Sequence, residues 1–197
     1  RDPDAVQTIS KACFDNEYEI RSVLRMIFNA DFFKNAAFAR VKSPAELVAG
    51  TARLAGTYNT PDADYIELAL ETSAMGQSLL DPPSVEGWHT GSEWVTTANL
   101  VNRANFAVGQ FSNSDSPGVR SIIDNVTTSG SILYPEQLVD ACLDLIGPLE
   151  VSEETRVQLN AHAADGGMVI FEHSDETNER VKEMLQLIVA TREYQFA

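Results

Sequence analysis

Between Gln77 and Thr96 the chain abandons every regular period: Pro82, Pro83, Gly87 and Gly91 puncture the stretch, and it carries both tryptophans, Trp88 and Trp94. Proline supplies no backbone N–H and clashes with the preceding helical turn, so neither a helix nor a central strand runs through this segment. On both sides the apolar residues return at helical spacing. The chain must therefore fold as helices that accommodate a long aperiodic segment. Such segments are generally functional, internally packed or disordered. Disorder fits badly, because Trp88, Trp94, Leu79, Leu80 and Val85 would bury several hundred Å² together, at roughly 150 to 250 Å² per aromatic ring. An ordered plug laid over the helices is the first expectation, with each indole N–H needing an acceptor. A ligand platform is the second: Trp88 and Trp94 beside His89, Glu93 and Asp81 would suit a sugar ring stacked on an indole.

The helices announce themselves by their caps as much as by their period. Ile20, Val23, Leu24, Ile27 and Phe28 recur at spacings of three and four, which predicts a helix over 17–28 with one buried stripe. A weaker pattern covers 4–14. At 43–56, Ser43 is the expected N-cap, Pro44 the first helical residue, Glu46 the partner in a capping box, and Gly56 the stop. Thr60 and Pro61 repeat that grammar for a helix ending at Gly76. After the aperiodic segment, Thr97 can cap a helix whose inward stripe is expected at Leu100, Val101, Ala104, Ala107, Val108 and Phe111. Further helices are predicted around 119–126, from Pro135 to before Gly147, from Ser152 to Gly166, and over about 175–190, the last burying Val181, Leu185, Ile188 and Val189. Phe32, Phe33 and Phe38 are expected in a core. The short run 168–171 is the one β-like stretch, and it offers no evident pairing strand. The fold class is all-α, about eight helices around one core, with the irregular segment 77–96 inserted. The length of 197 residues suits a single helical domain.

Charge narrows the partners. Fourteen Lys and Arg against 29 Asp and Glu give a formal charge of −15, which repels phosphate backbones and disfavours a nucleic-acid partner. The excess is uneven: residues 1–57 hold 8 basic and 7 acidic side chains, and residues 58–197 hold 6 and 22. A solvated, self-repelling surface accounts for this, and an acidic docking face is the alternative. No apolar run reaches the length of a membrane span, and no basic-then-apolar leader opens the chain. Cys13 and Cys142 are expected as two small buried hydrophobes, with one long-range disulfide as the other reading.

The three histidines, His89, His162 and His173, show no metal-ligand spacing, so no metal site is expected. No nucleophile elbow, phosphate loop or dinucleotide fingerprint appears, and no cofactor follows from the residues. Carboxylate pairs are too frequent in so acidic a chain to point to glycoside chemistry. One polar pair stands out. Gln77 and Arg103 flank the tryptophan segment, and a guanidinium with five donors suits a clamp on loop carbonyls or on Asp81 or Glu93, or a contact to an anionic ligand. The candidate binding set is thus Trp88, His89, Glu93, Trp94, Arg103 and Gln77, with no catalytic residue assigned.

The same segment carries a resemblance. Gly76, Gln77, Leu79, Pro82, Pro83, Val85, Gly87, Trp88, Gly91, Trp94 and Arg103 resemble the carboxyl-terminal pattern of a bacterial family catalogued as domain of unknown function 1800. The stretches around 16–33, 41–56 and 187–197 are similar to further parts of that pattern. Asn29, Ala30 and Asp31, and Thr191 with Arg192, depart from it mildly. The resemblance implies a carboxyl-terminal fragment of a longer protein, many members of the family looking exported to the periplasm or cell surface. On this footing the expected function is a non-catalytic structural or interaction module, its partner being the amino-terminal portion of the same protein or another protein. The alternative is the carboxyl-terminal part of a hydrolase or carbohydrate-active enzyme whose catalytic groups lie elsewhere.

Overall fold

The computed structural model describes residues 2–58, 60, 63–128, 132–170 and 174–196. Ten α-helices stand among them, and the chain divides into two units, residues 1–40 and 41–197. The class is all-α, as the periodicity predicts.

The first unit holds α1 (Pro3–Asp15), α2 (Ile20–Asn29) and the single turn α3 (Asp31–Lys34). Its helix ends are well satisfied. The Asp2 carboxylate accepts from the N–H groups of Asp4 and Ala5, and the Glu19 carboxylate from those of Arg21 and Ser22, which covers amides that lack intrahelical partners. Helices α1 and α2 pack on each other across a turn in which Glu17 and Tyr18 take positive φ. Packing goes little further. Among the unit's described residues Val23 alone is buried, whereas Ile20, Leu24 and Phe28 of the expected stripe are 71%, 43% and 55% exposed. Phe33 is exposed and Phe32 and Phe38 are half-buried, so the expected aromatic core is replaced by surface pairs, Phe28 against Phe33 and Phe14 against Tyr18. Three short helical segments enclose too little volume to take all these side chains inside.

The second unit is built on α10 (Ser174–Ala190), which packs against α6 (Thr97–Gln110), α7 (Pro117–Thr128), α8 (Pro135–Ile146) and α9 (Glu153–Asp165). Helix α4 (Pro44–Ala55) packs on α5 (Tyr65–Ala74), α6 and α7. Val181, Leu185, Ile188 and Val189 are all buried, joined in the core by Phe111, Ile123, Leu138 and Cys142. Helix α4 has the capping predicted for it: the Ser43 hydroxyl accepts from Glu46 N–H, Glu46 accepts from Ser43 N–H, and Gly56 closes the helix at φ 70°. The same end of α4 meets α7 backbone to backbone. A Cβ on Gly118 would stand 1.9 Å from the Leu54 carbonyl oxygen, so only glycine permits this crossing.

Several expectations are corrected. On α6 the buried face is Arg103, Phe106 and Ala107, while Leu100 and Val101 are exposed, because the helix is turned to bring its arginine inward. Helix α5 starts at Tyr65, later than Thr60 and Pro61 suggest, and Pro61 lies outside the described residues. The β-like run does find a partner: β1 (Ile132–Leu133) pairs antiparallel with β2 (Val169–Ile170), Leu133 opposite Val169. Both cysteines are free, Cys142 buried and Cys13 half-buried, and burial pushes the Cys142 thiol up to about 12. No helix among the described residues is long and apolar enough to cross a membrane.

Candidate functional site

The tryptophan segment leaves α5 through Gly76 at φ 96° and is pinned at once. Gln77 is buried, and its side-chain carbonyl accepts from the Ala45 N–H at 2.9 Å. Ala45 lies in the first turn of α4, where amides have no partner within their own helix. Gln77 therefore satisfies a helix start from 32 residues away in sequence.

From there the chain folds on itself. The Trp88 indole N–H donates to the Ser78 carbonyl at 2.9 Å, Ser84 bridges to Gly87, and Glu86 N–H donates to the Ser84 hydroxyl. Glu93 reaches back to accept from Thr90 N–H and leads into the short turn Gly91–Trp94. Trp94 is 4% exposed and is the segment's anchor; Trp88 is half-buried. The expectation that Leu79, Leu80 and Val85 bury with the rings is corrected. Leu79 is exposed, Leu80 is 96% exposed at φ 64°, and Val85 is fully open. The Pro-Pro tip projects because the local hydrogen bonds of Trp88 and Ser84 already order it without a packed face.

His89 and Glu93 come together on this segment, Nδ1 to Oε2 at 3.4 Å, and the His89 ring lies edge-on to Trp94 with centroids 6.3 Å apart. Both side chains are more than half exposed, so water screens the pair. Of the other candidate histidines, His162 stands 4.0 Å from Glu183, and His173 lies outside the described residues. Among the described residues no three His, Cys, Asp or Glu side chains gather as a metal cluster.

Arg103 occupies a different node from the one expected. It is fully buried, and its hydrogen-bond partners are not Asp81 or Glu93. Its Nε donates to the Gln195 side-chain carbonyl at 2.8 Å and its Nη2 to the Lys42 backbone carbonyl at 2.8 Å. The guanidinium thus clamps the carboxyl-terminal turn to the lead-in of α4. Burial lowers its pKa, although a guanidinium starts so high that it stays charged. Nη1 of Arg103 and Nε2 of Gln195 are buried without a partner.

Around Arg103 the last residues form a staple that sequence reading did not assign. Lys42 N–H donates to the Gln195 carbonyl and Lys42 Nζ to the Tyr194 carbonyl at 2.9 Å, with the ammonium 4.4 Å from the Tyr194 ring centre. The Tyr194 hydroxyl pairs with Thr51 at 3.0 Å, Val41 bridges to Phe196, and Glu193 accepts from Ser152 N–H and the Thr155 hydroxyl at the start of α9. Burial would raise the Glu193 carboxyl, but the bonds from Ser152 and Thr155 outweigh it and hold the pKa low. Lys42 is lowered first by burial and then by the neighbouring Arg103 charge, against an opposing pull from Glu46. No period marks a staple, and the similarity of the last residues to a family pattern carries no role by itself.

The arrangement defines a class: a helical unit whose carboxyl-terminal turn is locked by a buried arginine, with an ordered tryptophan-anchored segment on its surface. The family model described as "Protein of unknown function (DUF1800)" matches residues 1–196, and the chain belongs to that family. No curated protein and no solved structure matches the chain.

Proposed function

We propose that the chain is a non-catalytic interaction module of a longer, exported protein. The observation that carries this reading is the apolar face of α2, where Ile20, Leu24 and Phe28 stand exposed along one side of a well-capped helix. A contiguous exposed apolar stripe marks a surface that another protein covers. The tip bearing Leu79, Leu80 and Val85 supports the reading too, since these apolar side chains are held out by an ordered segment. A photo-reactive benzoylphenylalanine placed at Leu24 in the producing bacterium should give one discrete protein adduct. The same residue at exposed Lys11 should give none. Absence of an adduct at position 24, or equal adducts at both positions, contradicts the proposal.

A second reading, part of a hydrolase or carbohydrate-active enzyme, draws on the half-buried Trp88 ring beside the His89–Glu93 pair. It predicts saturable quenching of tryptophan fluorescence by an oligosaccharide, lost in Trp88→Phe and kept in Gln77→Glu. Unchanged fluorescence across a glycan panel removes it.

A further inference from the structure

Beside the carboxyl-terminal staple lies a cleft of about 420 Å³ that none of the roles above uses, lined by Lys42, Gly50, Thr51, Arg53, Leu54 and Ile146 among others. The geometry points to a binding site for a small carboxylate with a short apolar body, its head between Lys42 and Arg53 and its body on Leu54 and Ile146.

Three independent features converge on that ligand class. The first is hydrogen-bonding inventory. Lys42 has three N–H donors and gives one to the Tyr194 carbonyl. Arg53 is exposed and makes no hydrogen bond or ion pair among the described residues. Thr51 and Tyr194 share one bond between two hydroxyls, which leaves one O–H donor over in a buried wall of the cleft. Glu46, the one carboxylate of the lining, accepts from the Ser43 N–H through Oε2 at the amino-terminal end of α4. The cleft thus offers more cationic and hydroxyl donors than acceptors, with two basic side chains to one carboxylate, which favours an anion.

The second is charge placement. Residues 41–197 carry 8 basic against 23 acidic side chains. Arg120, Arg156 and Lys182 lie against carboxylates. Lys42 and Arg53 line one cleft, and Arg103 bonds to the Lys42 carbonyl behind it. In so acidic a unit this is a local excess of positive charge over the single lining carboxylate, Glu46; Lys42 is lowered first by burial and then by the neighbouring Arg103 charge, against the pull of Glu46.

The third is Gly50. It sits in the middle of α4, where glycine is the weakest helix former after proline. Packing does not require it, because a Cβ built there meets nothing within 4 Å. What the missing side chain provides is room over the helix backbone on the cleft side, as a close-approaching ligand needs. Leu54 and Ile146 then supply an apolar wall that inorganic phosphate would not use, and the site selects an organic acid.

The test is a chemical-shift titration of the 197-residue chain with acetate, isovalerate and benzoate, and with isopentanol and inorganic phosphate as controls. Affinity should rise from acetate to benzoate and reach a Kd of about 1 mM or tighter, with isopentanol inert and phosphate weaker than isovalerate. Arg53→Gln should weaken benzoate about tenfold with an unmoved melting temperature, since loss of one exposed charged contact costs that much. Gly50→Leu fills the cleft with a good helix former and should abolish binding while the melting temperature holds or rises. The inference is overturned if no carboxylate saturates, if phosphate or isopentanol binds as well as benzoate, or if both variants bind like the parent. The readout is independent of any partner protein, so its failure leaves the interaction-module proposal standing.

Discussion

The first forty residues and the remainder of the chain use the same helical grammar and end in very different states of burial. Helix α2 is strongly amphipathic and doubly capped by Glu19, yet Val23 is the single buried side chain of its unit among the described residues. Helix α10 has a comparable apolar stripe, and Val181, Leu185, Ile188 and Val189 are all enclosed. Charge divides the same way: residues 1–40 carry six basic and six acidic side chains, and the whole formal charge of −15 belongs to residues 41–197. A periodic stripe shows that a helix has a face to bury. Burial itself depends on how much other structure is available to cover that face: four long helices pack on α10, whereas α2 has α1 and the single turn α3.

The sharpest way to break this contrast is at the α4–α7 crossing. Gly118→Ala puts a methyl against the Leu54 carbonyl and should destabilise residues 41–197 by about 4 kcal/mol or prevent folding, read by urea unfolding. Arg103→Ala comes next. It leaves Gln195 and the Lys42 carbonyl unpaired in the interior and should cost about 3 kcal/mol. An unmoved melting temperature would show that the staple is idle.

Alkaline pH gives a smaller, signed effect. The Cys142 thiol ionises near 9 when unfolded and at about 12 when folded, so the native state keeps a proton that the unfolded state loses. Stability is therefore complete below pH 9 and declines as pH rises toward 12, by about 1.4 kcal/mol at pH 10. Tyr194, raised by burial, adds to the decline at still higher pH. Cys142→Ala should flatten the slope between pH 9 and 10. Tyr194→Phe removes the bond to Thr51 and should cost about 1 kcal/mol. Smallest of all, Leu24→Ser on the open face of α2 should change stability by no more than about 0.5 kcal/mol; a larger loss would mean that the face is covered in solution.

Legibility in the sequence followed the range of the interactions. The capping box of Ser43 and Glu46, the stop at Gly56 and the break at Gln77 are local, and each is where the residues place it. Gln77 and Arg103 stand out as polar residues flanking an apolar segment, but their partners, Ala45, Lys42 and Gln195, are brought near only by the tertiary fold. The pairing of Ile132–Leu133 with Val169–Ile170 was hidden for the same reason, two residues being too short to show alternation. Leu80 and Val85 misled in the opposite sense. Their hydrophobicity argues for burial, while the turn held by Trp88 and Ser78 carries them outward.

Each unit contains one cysteine, so thiol labelling compares them directly in the unmodified protein. With a chromogenic disulfide in native buffer, Cys13 should react at once and at a rate little changed by mild urea. Cys142 should stay protected until residues 41–197 unfold, its rate rising with denaturant as global opening does. Cys142 reacting in native buffer as readily as Cys13, or Cys13 protected to the same degree as Cys142, would contradict the difference in burial from which the account is built.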